Sequence, residues 1–177
     1  KDAKLMTLKF NQAQEDYWKK QSNKDIILKA RQLGFSTECL LDDLDEAIIK
    51  PNINVAIIAN QQDKVIMLFE IVRLAFDNFP QQLKPKVSYD NRNELYFPDL
   101  NSKIYVSMDT RGETVHVLHV SEVAFIKDDE RRMPGILESV PKEGKIRFES
   151  TANGMTGLFY DAWMDNTSEF KKHFYNW

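Results

Sequence analysis

The chain has 177 residues, of which 42% are hydrophobic and 29% are charged, and its formal net charge is -3. This composition is typical of a globular domain large enough to bury its own core, and it argues against a domain that coats nucleic acid through bulk positive charge. The single cysteine, Cys39, excludes an internal disulfide and favours a reducing compartment. No apolar run is long enough to predict a transmembrane helix, and the segment Lys1–Lys9 has no signal-peptide core.

The first part of the chain predicts a helix and then a buried strand. The helical segment is expected within residues 4–20, and the apolar residues Ile26–Leu28 form the first core strand. The sequence KARQLGFST, Lys29–Thr37, follows this strand directly, and an amphipathic helix pattern over Thr37–Ile49 comes next. A strand, a tight turn and a helix start are the setting of a phosphate-binding loop.

The residues of this loop suit an anion, although they depart from the usual pattern G-x-x-x-x-G-K-[ST]. Gly34 allows the backbone to approach an anion closely. Ser36 and Thr37 place hydroxyls at the helix start, where Mg²⁺ and backbone donors meet. Phe35, however, occupies the position of the usual lysine, and the residues before Gly34 supply no earlier glycine.

The middle of the chain predicts a strand, a long helix and an antiparallel excursion. Val55–Ala59 is a continuous apolar run, as expected of a strand that is covered on both faces. Residues 64–79 have the spacing of an amphipathic helix. Glu94–Phe97 and Lys103–Met108 alternate in polarity around a turn, which predicts a β-hairpin.

Two later strands end in residues that suit nucleotide chemistry. The strand Val115–Val120 ends in Ser121 and Glu122, where the Walker B pattern normally has two acids, the first ordering the Mg²⁺ shell and the second polarising the attacking water. Ser121 is expected to hold the metal weakly, through water. The strand Ile146–Glu149 is followed by a segment of small residues, Ser150, Thr151, Ala152 and Asn153. Hydroxyls in that place can sense the γ-phosphate and relay its loss.

The remaining elements complete an α/β pattern. Helices are predicted within residues 128–140 and over Gly157–Asp165, and Phe170–Trp177 is an apolar-rich end. Alternating strands and helices predict a mainly parallel central sheet flanked by helices, with the β-hairpin inserted. Residues 1–177 are expected to form one domain, divided into an N-terminal segment 1–24, a core 25–165 and an edge 166–177.

Three segments together resemble the ATPase domain of the large terminase subunit of tailed phages, the DNA-packaging motor. They are KARQLGFST, RGETVHVLHVSEVAF (Arg111–Phe125) and ESTANG (Glu149–Gly154), and they occur in the order found in that family. The resemblance extends from about Leu8 to Trp177. It implies a P-loop NTPase of the RecA-like, ASCE type, in which an extra strand lies between the loop strand and the Walker B strand.

The resemblance also implies a function and its partners. ATP and Mg²⁺ would be the cofactors, and ATP hydrolysis would drive double-stranded DNA into a viral procapsid. The chain would self-associate into a ring and work with a portal protein and a small terminase subunit in the host cytoplasm, without a membrane. Full-length subunits of the family usually carry a C-terminal nuclease domain, and none is expected within these 177 residues.

The family's nucleotide-binding roles fall on Gln14 and on the loop. The implied nucleotide-binding residues are Gln14, Lys29, Arg31, Gln32, Leu33, Gly34, Phe35, Ser36 and Thr37. Gln14 would read the adenine edge, and Lys29 or Arg31 would supply the charge that the usual lysine supplies. Ser36 would ligate Mg²⁺ and Ser121 would hold it through water.

The family's catalytic roles fall on three further positions. Glu122 would be the catalytic glutamate that orients the attacking water. Arg111, ahead of the Walker B strand, would be an arginine finger that reaches a neighbouring subunit, and Arg31 is the first suspect for an arginine acting in cis. The segment 150–153 would be the coupling motif.

Two other functions remain open at this point. A superfamily 2 helicase lobe shares the RecA-like core, but Ser121-Glu122-Val123-Ala124 does not fit its D-E-x-[DH] motif and the chain has no room for a second lobe. A degenerate nucleotide-binding module that assembles without hydrolysis is supported by Phe35 and Ser121. The acidic residues of the helix after the loop, Asp42, Asp43, Asp45 and Glu46, are interpreted as its solvated face, and His116 and His119 as residues on opposite faces of their strand.

Overall fold

The computed structural model describes residues 8–110 and 112–176, with residues 89–91 described by their backbone alone. The helices are α1 Gln12–Lys20, α2 Phe35–Ile49, α3 Gln62–Asp77, α4 Asp129–Glu138 and α5 Leu158–Met164. The strands are β1 Lys24–Lys29, β2 Asn54–Ile58, β3 Ser88–Asn91, β4 Glu94–Phe97, β5 Ser102–Ser107, β6 Val117–Ser121, β7 Lys145–Ser150 and β8 Lys171–Tyr175.

In the described part of the chain, all eight strands form one sheet in the order β3-β4-β5-β2-β6-β7-β1-β8. The strands from β5 to β8 in this order pair in parallel, and β3 and β4 are antiparallel to their neighbours. The strand β7 lies between β1, which leads into the loop, and β6, which ends in Ser121. This is the inserted-strand arrangement of the RecA-like, ASCE fold, so the predicted fold class is confirmed.

The predicted hairpin is present, but its second strand is a core strand. Strand β4 pairs antiparallel with β5, as predicted, whereas β5 also pairs in parallel with β2. The hairpin therefore extends the parallel sheet through a strand that is shared by both parts. The sequence predicts no strand at Ser88–Asn91, and it predicts only an apolar-rich end at Lys171–Tyr175, which forms the other edge of the sheet.

The core lies on both faces of the sheet. Helices α2 and α3 cover one face, where Phe76 packs against Phe97 with ring centroids 5.4 Å apart. Helices α4 and α5 cover the other face through Met133, Ile136 and Phe159. With both faces covered, β2 and β6 consist almost entirely of buried residues, and only their ends can carry chemistry.

None of the helices in the described ranges combines the length and the apolarity needed to cross a membrane.

Candidate active site

The predicted site residues meet in a cleft at the carboxyl ends of the parallel strands. Ligands of open α/β sheets bind in this position. The cleft has a volume of about 820 Å³. Its lining includes these predicted site residues: Lys29, Arg31, Gln32, Leu33, Gly34, Phe35, Ser36, Thr37, Glu122 and Thr151. Segments that lie far apart in the sequence are therefore neighbours in the structure.

A second cleft, of about 700 Å³, lies at the opposite, amino-terminal edge of the strands. Asn54 of β2 and Lys103 of β5 line it, together with Glu113 and His116. It contains none of the loop, Walker B or coupling residues.

Gly34 shapes the loop because its position is unfavourable for a side chain. Its φ is +75°, in the left-handed region, and a Cβ there would lie 2.8 Å from Gln14 Nε2. A residue with a side chain would strain the backbone here and would have to displace the Gln14 amide, so both features favour glycine. Helix α2 begins at the next residue, so its first N–H groups, which have no partner within the helix, point into the cleft region as an anion-binding end.

Helix α1 holds the loop through backbone carbonyls. Gln14 Nε2 donates to Gly34 O at 2.9 Å, and Asn11 Nδ2 donates to Leu33 O at 2.9 Å. Gln14 Oε1 also accepts from Asn11 N, completing a capping box at the start of α1. Gln14 is buried and serves as a support of the loop in this structure. A contact with adenine stays a prediction.

Phe35 fills the position of the usual lysine with a buried ring. It is 1% exposed, packs edge-on against Tyr17 with ring centroids 5.8 Å apart, and lies 4.7 Å from the Tyr175 ring. The side chain anchors the start of α2 to α1 and β8. Only the backbone of Phe35 can present a polar group to the cleft.

Lys29 supplies positive charge at the floor of the cleft. Its Nζ lies 2.9 Å from Glu149 Oε2 and 3.2 Å from Glu122 Oε1, and its side chain is 8% exposed. Burial alone would lower the pKa of Lys29, but the two carboxylates raise it above its ordinary value. Lys29 is therefore a fixed, buried cation.

Glu149 was not identified from the sequence as a site residue. Its carboxylate is fully buried, and Oε1 accepts hydrogen bonds from Ser36 Oγ at 2.9 Å and from Ser121 Oγ at 2.7 Å. Burial alone would raise the pKa of Glu149, but the nearby charges of His119 and Lys29 and the Ser121 hydroxyl hold it well below its usual range. His119 Nε2 lies 3.7 Å away, which is too far for a hydrogen bond, so its effect is electrostatic. One signal could have revealed this residue: it is an acid at the carboxyl end of the strand beside the serine that replaces the Walker B aspartate.

Glu122 has an unusual backbone and touches the coupling segment. Its φ of 53° and ψ of 48° are left-handed, which is uncommon outside glycine and costs about 1–3 kcal/mol where it persists. Its Oε2 accepts from Thr151 N at 3.2 Å and lies 3.3 Å from Ser150 Oγ. The conformation aims a partly exposed carboxylate across the cleft floor.

A buried ionic network lies beneath the site and corrects one interpretation of the sequence. Asp43 of α2 is fully buried, accepts from Arg147 Nη1 at 2.8 Å and lies 2.6 Å from His119 Nδ1. Arg147 also donates to Tyr17 Oη at 2.8 Å. The prediction that Asp43 belongs to a solvated helix face is therefore wrong, because its carboxylate neutralises cations of β6 and β7. Burial alone would lower the pKa of His119, but Asp43 raises it.

Of the remaining predicted residues, some lie at the rim of the cleft, Ala152 and Asn153 are not among the residues that line it, and Arg111 is outside the described ranges. Arg31 is exposed at the rim, and Gln32 has a left-handed φ of 64°. Asn153 Nδ2 donates to Ala124 O at 2.8 Å, next to exposed Ala152. Arg111 lies outside the described residues, so its role as an arginine finger stays a prediction.

Among the described residues, no group of three or more His, Cys, Asp and Glu side chains is placed to hold a metal ion, so a divalent cation beside the cleft would depend on hydroxyl ligands. Ser36 and Ser121 bring their hydroxyls together on Glu149 Oε1, and Lys29 lies between the carboxylates of Glu149 and Glu122. Mg²⁺ prefers oxygen ligands and usually keeps several waters, with only one or two protein ligands. Ser36 and Ser121 are the two hydroxyls that could face it directly or through water.

The architecture matches solved phage packaging proteins. The ATPase domain of the large terminase of Thermus phage P74-26 superposes with a TM-score of 0.69 at 17% sequence identity, covering 94% of this chain and 81% of that domain. The large terminase of a second thermophilic bacteriophage, in complex with ATP-γ-S, gives 0.69 at 15% identity, covering 96% of this chain and 45% of that protein. The HK97 bacteriophage large terminase gives a TM-score of 0.67 at 15% sequence identity, covering 90% of this chain and 36% of that protein.

These likenesses establish the fold, which is that of large terminase ATPase domains. The chain spans less than half of the ATP-γ-S-bound protein and of the HK97 protein, so the activities of whole terminases do not transfer with the fold. No protein-family model matches the sequence. No curated protein is significantly similar to it.

Proposed function

We propose that this chain is the ATPase domain of a tailed-phage large terminase subunit, and that it hydrolyses ATP to move double-stranded DNA into a procapsid. The observation that carries the proposal is the meeting of Lys29, Ser36, Glu122 and Thr151 around one cleft. A loop cation, a helix-start hydroxyl, a strand-end glutamate and a coupling hydroxyl are the parts that phosphoryl transfer needs. The fold shared with terminase ATPase domains supports the same proposal.

The triphosphate is proposed to lie on the amino end of α2. The N–H groups of the first turn would receive phosphate oxygens, and Gly34 permits the close approach. Lys29 would supply charge from the floor and Arg31 from the rim. Mg²⁺ bound near Ser36 and Ser121 would neutralise charge on the β- and γ-phosphates. Solved structures of the second thermophilic phage's large terminase contain ATP-γ-S or ADP, which supports a nucleotide as the ligand.

Glu122 is proposed to orient the attacking water. Its carboxylate is held by Lys29 and by the Thr151 N–H, so its direction is fixed before substrate arrives. Arg111 of a neighbouring subunit would stabilise the charge of the transition state. Because Glu122 also contacts Ser150, loss of the γ-phosphate would change a contact between the catalytic glutamate and the coupling segment. That change would pass directly into β7 and the loop before α5.

The partners follow from the likeness to terminases and are proposals of the same standing. A ring of copies would surround double-stranded DNA, and a portal protein and a small terminase subunit would complete the motor in the host cytoplasm. With a net charge of -3, such a ring would contact DNA through a few basic side chains rather than through its bulk charge.

Glu122→Gln tests the proposal. Phosphate release from ATP should fall by at least ~10²-fold, because glutamine keeps the size of the side chain but cannot accept a proton. Binding of a fluorescent nucleotide should be retained. Glu143→Gln, at an exposed position far from the cleft, is the matched control and should hydrolyse like wild type. Equal turnover in Glu122→Gln and wild type would contradict the assignment of Glu122 as the residue that orients the attacking water.

One rival function has support from specific residues. Phe35 is buried where a lysine is usual, and Ser121 replaces an acid, as in a nucleotide-binding module that assembles without hydrolysis. The same measurement separates the two. A module of that kind would bind nucleotide and form rings with DNA present, yet release no phosphate above the Glu122→Gln level.

A further inference from the structure

Glu149 is the one fully buried carboxylate of the described site, and the proposed mechanism gives it no role. It lies on β7, the strand inserted between the loop strand and the Walker B strand. In the parallel pairing of β6 with β7, Glu149 is the partner of Ser121. A carboxylate is therefore present one strand away from the position where Ser121 has replaced it.

The hydrogen bonds of Glu149 fix the direction of two hydroxyls. An ionised carboxylate can only accept, so Ser36 and Ser121 must each donate their single proton to Oε1. Each hydroxyl oxygen then keeps its lone pairs for another partner. Both oxygens are thereby prepared as acceptors, which is the state that a Mg²⁺ ion or a metal-bound water requires.

The charges around Glu149 keep it in place. Lys29 Nζ lies 2.9 Å from Oε2, on the side away from the two hydroxyls. His119 Nε2 lies 3.7 Å from the other oxygen, Oε1, and the His119 ring is held in turn by Asp43. The Glu149 side chain has no exposed surface, and it makes hydrogen bonds through Oε1 and an ion pair through Oε2. It is therefore a rigid support rather than a mobile ligand.

We propose that Glu149 replaces the missing first acid of the Walker B pattern and positions the Mg²⁺ shell through the hydroxyls of Ser36 and Ser121. The inference rests on the proposed function, because it concerns the metal of the same nucleotide site. Glu149 acts through the two serines, so it is a positioning residue, and the carboxylate has moved from β6 to β7 while serving the same point in space.

The test measures how nucleotide binding depends on free Mg²⁺. A fluorescent ADP analogue is titrated into each variant over a range of Mg²⁺ concentrations, and bound Mn²⁺ is followed separately by electron paramagnetic resonance. Losing a residue that orients a metal ligand typically weakens metal affinity by about 10–100-fold. Glu149→Gln should raise the Mg²⁺ concentration for half-maximal binding by about that factor, while binding without Mg²⁺ changes little.

Two further variants separate a positioning role from a merely structural one. Ser121→Asp combined with Glu149→Gln returns a carboxylate to β6, and it should bring the Mg²⁺ midpoint back to within about threefold of wild type. Glu149→Asp retains the charge beside Lys29 but withdraws the carboxylate from the hydroxyls, so it should fold and still raise the midpoint. Glu38→Gln, which alters another buried glutamate, is the matched control and should leave the midpoint unchanged.

Each outcome decides between the proposals. If wild type shows no Mg²⁺-dependent nucleotide binding, the proposed function fails and this inference fails with it. If wild type shows it and both Glu149→Gln and Glu149→Asp keep the wild-type midpoint, only the inference is overturned. If Glu149→Gln does not fold, Glu149→Asp and the double variant decide the question. An unchanged Mg²⁺ midpoint in Glu149→Asp would overturn the positioning role of Glu149. Equal midpoints in the double variant and Glu149→Asp would overturn it as well.

Discussion

Removing the Lys29 charge should destabilise the domain strongly, whatever it does to nucleotide binding. The Lys29 side chain is 8% exposed and that of Glu149 is 0% exposed, so Lys29→Met leaves a buried carboxylate without its nearest cation. Loss of one partner of a buried pair typically costs about 3–5 kcal/mol. Glu122, with 31% of its side chain exposed, can be resolvated and should add little. For a domain of this size the change corresponds to a melting temperature lower by roughly 6–20 °C.

The measurement is urea unfolding of Lys29→Met, Glu149→Gln and the double variant, followed by circular dichroism. Because the double variant removes both charges, its free energy of unfolding should exceed the value expected from adding the two single losses by at least about 2 kcal/mol. Lys24→Met is the matched control on the same strand. Lys24 pairs with Glu169, whose side chain is 74% exposed, so its loss should cost less than about 1 kcal/mol. Additive losses, or a Lys29→Met loss as small as that of the control, would refute the buried pair.

Three further outcomes are expected. Phe35→Lys restores the lysine of the usual loop but buries an ammonium against Tyr17 and Tyr175, so the variant should lose at least about 3 kcal/mol of stability and gain no ATP affinity. Phe35→Leu, the control, should lose much less stability. Tighter ATP binding by Phe35→Lys would contradict the packing. Burial raises the pKa of Glu38 to about 8. The free energy of unfolding of the wild type should therefore fall, relative to that of Glu38→Gln, by up to about 1.4 kcal/mol per pH unit as the pH rises toward that value. Urea unfolding that gives a constant difference between the two proteins from pH 5 to pH 8 would contradict this pKa. Arg111→Ala and Glu122→Gln proteins, each inactive alone, should regain part of their phosphate release when mixed in assembled rings, and no recovery in proven mixed rings would count against an arginine finger in trans.

The sequence predicted the fold, and it predicted that the loop, Walker B and coupling segments meet, because both depend on local patterns. Apolar strands followed by helices fix a parallel sheet, and the carboxyl ends of such strands meet at one edge. The residues after β1, β6 and β7 therefore had to approach one another, and Lys29, Glu122 and Thr151 do so. Periodicity and strand order carry this information without any knowledge of side-chain partners.

The interactions that the sequence did not reveal depend on partners distant in the chain. The acidic neighbours of Asp43 suggest a solvated helix face, yet Asp43 lies three residues after Leu40 and four before Ala47, on the buried side of α2. Its burial becomes tolerable only when Arg147, over a hundred residues later, is beside it. Gln14 likewise binds the Gly34 carbonyl, a contact that no spacing rule within α1 predicts.

The two departures from the usual motifs are physically linked. In the usual pattern, a lysine follows the last glycine of the loop and an acid ends the Walker B strand. If Lys29 and Glu149 take these roles, as proposed, the cation stands at the end of β1 and the buried carboxylate stands on the adjacent strand β7. Because β1 and β7 are neighbours, the displaced charges lie 2.9 Å apart and neutralise each other in the absence of any ligand. Moving either charge alone would have left the other buried without a partner. We therefore interpret the phenylalanine in the loop and the serine on β6 as two halves of one rearrangement. Variants that restore only one of the two usual residues should be less stable than the wild-type protein.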